Sequence, residues 1–171
     1  MLCKKATRGC PCGFAGDLTR GCRCTPTQLA RYRDRLSGPL RDRLDLTVDV
    51  PALPIDALSD EDGSGESSAT VRDRVVAARA VQGARYAAHG ISTNTELTPA
   101  LMRIHCATDR AALRVLKAAM KKLSLSARGY DRVRKVARTI ADLAGDDRLR
   151  ADHLAEALQF RMLERESMSN L

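Results

Sequence analysis

Four of the six cysteines fall in two close pairs, Cys10-Pro-Cys12 and Cys22-Arg-Cys24, on a stretch that also carries Gly13, Gly16 and Gly21. Two Cys-x-Cys pairs on a compact loop can present four thiolates to one tetrahedral zinc, with the proline and glycines shaping the turns. Two other states stay open. One is disulfides, which a Cys-x-Cys ring strains and a reducing compartment opposes; the other is four free thiols. A zinc held there has a structural role, since no residue is left over to activate water. Cys106 falls on a helical pattern and is expected in the core, and Cys3 is expected to be an unpaired thiol.

Two arginines stand where a cation can meet an anion. Arg128 lies two residues after Ser126, a helix cap. A cation in a first turn faces the positive end of the helix dipole, at a cost of roughly a few tenths of a kcal/mol. It makes sense beside a phosphate, which free N–H groups and a guanidinium both favour; otherwise its long side chain swings out to water. Arg43 closes the segment Ser37-Gly-Pro-Leu-Arg-Asp-Arg43 at the lip of a predicted strand. There it projects from an element edge, or it is an ordinary surface arginine beside Asp42. Arg132, Arg134, Lys135 and Arg138 predict a basic face on the Arg128 helix. That face meets DNA phosphates, or it is solvated and paired with Asp131 and Asp142. His89, His105 and His153 have no acid-and-nucleophile set nearby and are expected at surface or polar helix positions. The acidic run Asp60-Glu-Asp62 is expected to be solvated.

These residues need elements to carry them. Thr25-Pro26 starts a helix running to about Leu36, which Ser37-Gly38-Pro39 stops. Leu44, Leu46, Val48 and Val50 alternate with polar residues, which is strand period two. Residues 52–68 are rich in Pro, Asp, Gly and Ser and predict a linker. Beyond it, Ala69–Ala88 predicts a helix with Val71, Val75, Ala78 and Gln82 down one side, ended by Gly90. Thr98-Pro99 starts a short helix ending near Cys106. Asp109 opens another, with Leu113, Leu116, Met120 and Leu123 as a buried stripe. Ser126 caps the next, with Tyr130, Val133, Ala137, Ile140 and Ala144 inward and Gly145 as terminator. A last helix covers about residues 150–165, with Leu154, Leu158 and Met162 inward. The expected organisation is 1–51, 52–68, 69–166 and a tail 167–171, the third segment being a small all-helical bundle.

Composition sets the bounds. With no Trp, two Phe and three Tyr in 171 residues, the core must be built from Leu, Val, Ala and Ile, which suits helices. The formal charge is +8, and a basic chain suits a polyanion such as nucleic acid or a nucleotide, though a solvated basic surface gives the same count. No apolar run is long enough to cross a membrane, and the start Met-Leu-Cys-Lys-Lys has no signal-peptide apolar core, so a cytoplasmic location is expected.

The segments Tyr32–Pro51, Gly65-Glu-Ser-Ser-Ala-Thr-Val-Arg72, Leu125-Ser-Ala-Arg-Gly-Tyr130 and Arg138-Thr-Ile-Ala-Asp-Leu143 resemble the carboxy-terminal portion of the magnesium-chelatase-like AAA+ ATPases. Within them the likeness is to the ComM group of competence-associated helicases, and it runs from Cys10 to Arg161. The resemblance implies a mainly α chain: the residual edge of an AAA+ α/β core with a short strand, then a helical lid. It implies that Arg43, in the family's Gly-Pro-Leu-Leu-Asp-Arg motif, is an arginine finger serving a neighbouring subunit's ATP. It implies that Arg128 is the sensor-2 arginine reaching the ATP phosphate, that the family's members assemble as hexamers, and that DNA is remodelled by branch migration. Arg41 departs from the motif's apolar residue, and Arg8-Gly9 stand where the family has Asn-Pro. No Gly-x-x-x-x-Gly-Lys-Ser/Thr loop and no magnesium-holding strand end occur in the sequence. ATPase activity is therefore expected only with a Walker-bearing AAA+ subunit or upstream half. The leading expectation is a truncated lid-and-finger portion of such an ATPase. The alternatives are a stand-alone zinc-loop helical module that binds DNA, and a non-functional remnant.

Overall fold

A computed structural model describes residues 9–15, 20–35, 44–48, 50 and 65–169, apart from the side chains of residues 33 and 162–169. The chain divides into two compact units, Met1–Gly63 with Leu163–Leu171, and Ser64–Met162. The described residues form six α-helices and two 3₁₀ turns. Arg43, Arg41, Arg8, Cys3, Asp60–Asp62 and most of the 52–68 segment lie outside the described residues.

In the first unit, α1 (Pro26–Asp34) follows a reciprocal cap. The Gln28 N–H donates to Thr25 Oγ1 at 3.3 Å, and the Thr25 N–H donates back to Gln28 Oε1 at 2.9 Å. Two orphan donors of the helix start are thereby satisfied. Leu29 is the buried residue of this helix. The expected strand over Leu44–Val50 does not form: residues 44–48 and 50 are irregular. Alternation alone cannot make a strand, which exists through a ladder with a neighbour, and Leu46, Val48 and Val50 are exposed.

The second unit holds α2 (Ser68–Tyr86), α3 (Pro99–His105), α4 (Arg110–Lys122), α5 (Ala127–Leu143) and the start of α6 (Ala151–Ser169). Each start from α2 to α5 has a side-chain cap: Ser67 accepts from the Thr70 N–H, Thr98 from Leu101, Asp109 from Ala112 and Ser126 from Gly129. Such caps are worth about 1 kcal/mol each. α5 closes in a Schellman turn. Gly145 is left-handed at φ 74°, its N–H reaches the Asp142 carbonyl at 3.3 Å, and the Asp146 N–H reaches Ala141 at 2.8 Å.

The core lies among these helices. Leu116 of α4, Val133, Ala137 and Ala141 of α5, and Leu154 of α6 pack with Tyr86 and Met102, all nearly or wholly buried. Cys106 is buried there too, as expected. The architecture is thus the mainly helical one expected. Three inward positions differ. Ala144 is exposed, and Ala141, one turn earlier, takes its place. Val71 and Val75 are also exposed, because α2 buries Ala78, Gln82 and Tyr86 of its second half and leaves its first half open.

Candidate functional site

The four paired cysteines come together. Their Sγ atoms all lie within 4.8 Å of one another. Cys10 to Cys12 is 3.2 Å, Cys12 to Cys22 is 3.7 Å and Cys22 to Cys10 is 3.6 Å. None of these is a disulfide. The loop makes this approach possible by turning at Gly13, left-handed at φ 86°, whose N–H donates to the Cys10 carbonyl at 3.1 Å. The Ala15 N–H donates to Cys10 Sγ at 3.2 Å, and Cys10 is buried.

This donor set fits a tetrahedral metal ion. Four sulfurs at zinc–sulfur distance stand about 3.8 Å apart, close to the spacing found. The titration behaviour agrees. Backbone N–H groups of Phe14 and Arg23, helped by the Cys10 thiol, lower Cys12 to about 6. At Cys24 the Cys12 backbone N–H pulls downward, but desolvation and the neighbouring thiols outweigh it and push the group up to about 12. One thiolate thus forms readily and opposes the next. A bound cation removes that opposition, because it deprotonates coordinating thiols outright.

Arg128 sits second in α5, exposed, and among the described residues it makes no hydrogen bond or ion pair. The Ser126 hydroxyl takes the Gly129 N–H at 3.1 Å, so the first turn is capped while the guanidinium is left to solvent. Arg128 and the cysteine cluster belong to different units.

The expected basic face on α5 is spent inside the fold. Arg138 is 1% exposed and pairs with Asp142, its Nε donating to Oδ1 at 3.0 Å. Its Nη1 donates to the Asp147 carbonyl at 2.7 Å, and its Nη2 donates to the Asp146 carbonyl. Arg134 donates to the Met102 and Cys106 carbonyls, both at 2.9 Å, closing the end of α3. Lys135 donates to the Thr95 carbonyl at 2.8 Å, and Arg132 is half-buried.

Asp142 is the hub that sequence reading named only as a partner. Besides Arg138 it accepts from Arg85 Nη2 at 2.6 Å and from Asn94 Nδ2 at 2.8 Å. Asn94 in turn accepts from the buried Tyr86 hydroxyl at 2.6 Å. The i, i+4 spacing of Arg138 and Asp142 is visible in sequence; Arg85 and Asn94 are brought in by the fold. His153 is buried, accepting from the Arg150 N–H at 3.2 Å and lying 3.0 Å from Asp146 Oδ2. His105 stacks edge-on against Tyr86 and His89, and burial lowers its pKa. None of the histidines joins a nucleophile.

Comparison with known proteins follows the two units. Residues 65–161 match the family described as magnesium chelatase, subunit ChlI C-terminal, and residues 1–58 match magnesium chelatase, subunit ChlI. The chain is 40% identical over 151 residues to the competence protein ComM of Haemophilus influenzae, covering 87% of this chain and 29% of that protein. It is 41% identical over 143 residues to the uncharacterized protein YifB of Escherichia coli, covering 84% and 28%. An uncharacterized protein of Mycobacterium tuberculosis is 40% identical over 156 residues, covering 91% and 30%. The chain thus spans less than a third of the length of the curated relatives it matches. No helix among the described residues is long and apolar enough to cross a membrane.

Proposed function

The chain belongs to the magnesium chelatase subunit ChlI C-terminal family, and on that premise we propose that it supplies the helical lid and a trans-acting arginine to an AAA+ ATPase that remodels DNA as a hexamer. The observation that carries this is Arg128: exposed, without a partner among the described residues, and held on a capped helix start within the segment matching that family. A guanidinium and free N–H groups at one helix end favour a terminal phosphate. α5 carries Arg128 at its start, and near its end Asp142 and Arg138 tie the helix to α2 and to the 146–147 turn.

Arg43 would act on the ATP of a neighbouring subunit. Arginine suits that role because it stays charged and offers a planar fork to charge developing on the transferred phosphoryl group. Residues 1–51 and 69–166 serve in this reading as core edge and lid, joined by residues 52–68. Cys10, Cys12, Cys22 and Cys24 would hold a structural zinc that fixes the loop ahead of α1. A zinc there would supply no catalytic step, because all four of its positions are filled by sulfur.

The sequence carries no Gly-x-x-x-x-Gly-Lys-Ser/Thr phosphate loop, so in this reading ATP turnover draws on a Walker-bearing subunit or upstream half. The test is ATPase activity of this chain alone and mixed with such a subunit, with and without DNA. Activity only in the mixture supports the reading. Turnover by this chain alone, or none in the mixture, counts against it.

A further inference from the structure

Arg110, Arg114, Lys117 and Lys121 recur at i, i+4, i+7 and i+11 on α4. At 3.6 residues per turn they fall within an arc of about 60° and run about 16 Å along the helix. All four are exposed, while Ala112 and Leu116, on the opposite side, are fully buried. The helix contains no acidic residue, and among the described residues none of the four makes an ion pair. The Asp109 carboxylate ahead of the helix is occupied as its cap. Each like-charge neighbour at i, i+3 or i, i+4 costs a helix about 0.2–0.5 kcal/mol, a cost that packing of the opposite face offsets here and that negative charge from outside would relieve. The contrast with α5 is direct, since Arg134, Lys135 and Arg138 are consumed by carbonyl and carboxylate oxygens.

We propose that this face of α4 is a sequence-independent docking surface for the phosphate backbone of duplex DNA. Duplex DNA presents a line of phosphates at the scale of the stripe, one charge per about 3.4 Å of axis on each strand. A single strand would need stacking platforms, and none of the two Phe and three Tyr is exposed. An interfacial amphipathic helix also inserts apolar side chains, but the apolar side of α4 is already in the core, which leaves a membrane only the electrostatic term of about 1 kcal/mol per cation. The choice of DNA rests on the proposed function; the location of the surface does not.

The test needs no ATP and so stands apart from the ATPase experiment. The full chain is titrated against a fluorescent duplex of arbitrary sequence at several salt concentrations between about 50 and 200 mM. The double variant Arg114→Gln/Lys117→Gln is compared with Arg72→Gln/Arg79→Gln, which removes equal charge from exposed positions on α2. The stripe variant is expected to bind at least about tenfold more weakly, with a log K against log salt slope shallower by about 2. The α2 variant is expected to stay within about twofold of the parent chain. Circular dichroism checks folding, and the single variants Arg110→Gln and Lys121→Gln, each expected to reduce the slope by about 1, replace the double variant if it unfolds. Equal losses in both double variants would overturn the proposal. So would absence of duplex binding at the lowest salt, tighter binding to single strands, or stripe-dependent binding to phosphatidylserine vesicles without duplex binding.

Discussion

Cys12 shows how a single residue can reveal what its neighbours require. Its thiol is lowered to about 6 while Cys24 is pushed up to about 12, so the thiols oppose one another's ionisation, and a cation among the sulfurs would relieve that opposition. We predict about one zinc per chain, measured as metal released when the thiols are modified. Cys12→Ser with Cys24→Ser is expected to abolish it; the same stoichiometry in that variant, or none in the parent chain, contradicts the prediction. The spacing Cys10-x-Cys12 and Cys22-x-Cys24 made this cluster legible before any fold was known. The place of Arg128 in the first turn of α5 was equally legible, because the Ser126 cap two residues earlier fixes it. Residues on α5 were harder. Sequence displays the charges of Arg134, Lys135 and Arg138 but not the carbonyl oxygens that occupy them, which come from residues 8–40 positions away.

At the scale of elements, starts and stops were the legible part, because they are local chemistry. Ser126 and Gly145 bound α5 as their types predict, and Thr98-Pro99 and Asp109 open α3 and α4. Two elements needed information from elsewhere in the chain. Leu44–Val50 has strand alternation without a ladder, and the first half of α2 has helical valines without a neighbour to bury them. The join between elements was not legible at all. Asp142, with 0% of its side chain exposed, binds Arg138 of its own helix, Arg85 of α2 and Asn94 of the 3₁₀ turn Asn94–Glu96. Removing its charge leaves Arg138 buried without a counter-ion, and breaking such a pair is worth about 3 kcal/mol or more. Asp142→Asn is therefore expected to lower the unfolding free energy of the chain by that amount in a denaturant titration. A loss under about 1 kcal/mol would show that the hub does not tie the helices together.

For the whole molecule, the account is a division of labour. One unit presents a four-cysteine cluster and, in the proposed role, Arg43; the other presents a capped helix start with Arg128, and a cationic stripe on α4. The sequence of neither carries a Gly-x-x-x-x-Gly-Lys-Ser/Thr phosphate loop. The fold of the second unit was largely legible because helical periodicity, caps and a Schellman glycine agree. The most direct measurement is steady-state ATPase of the mixture with a Walker-bearing subunit, comparing the parent chain with Arg43→Ala and Arg128→Ala. The account predicts that Arg43→Ala lowers kcat by about a thousandfold, since an arginine finger acts on the transition state, and that Arg128→Ala also lowers kcat/KM. Unchanged kinetics in both variants would contradict it.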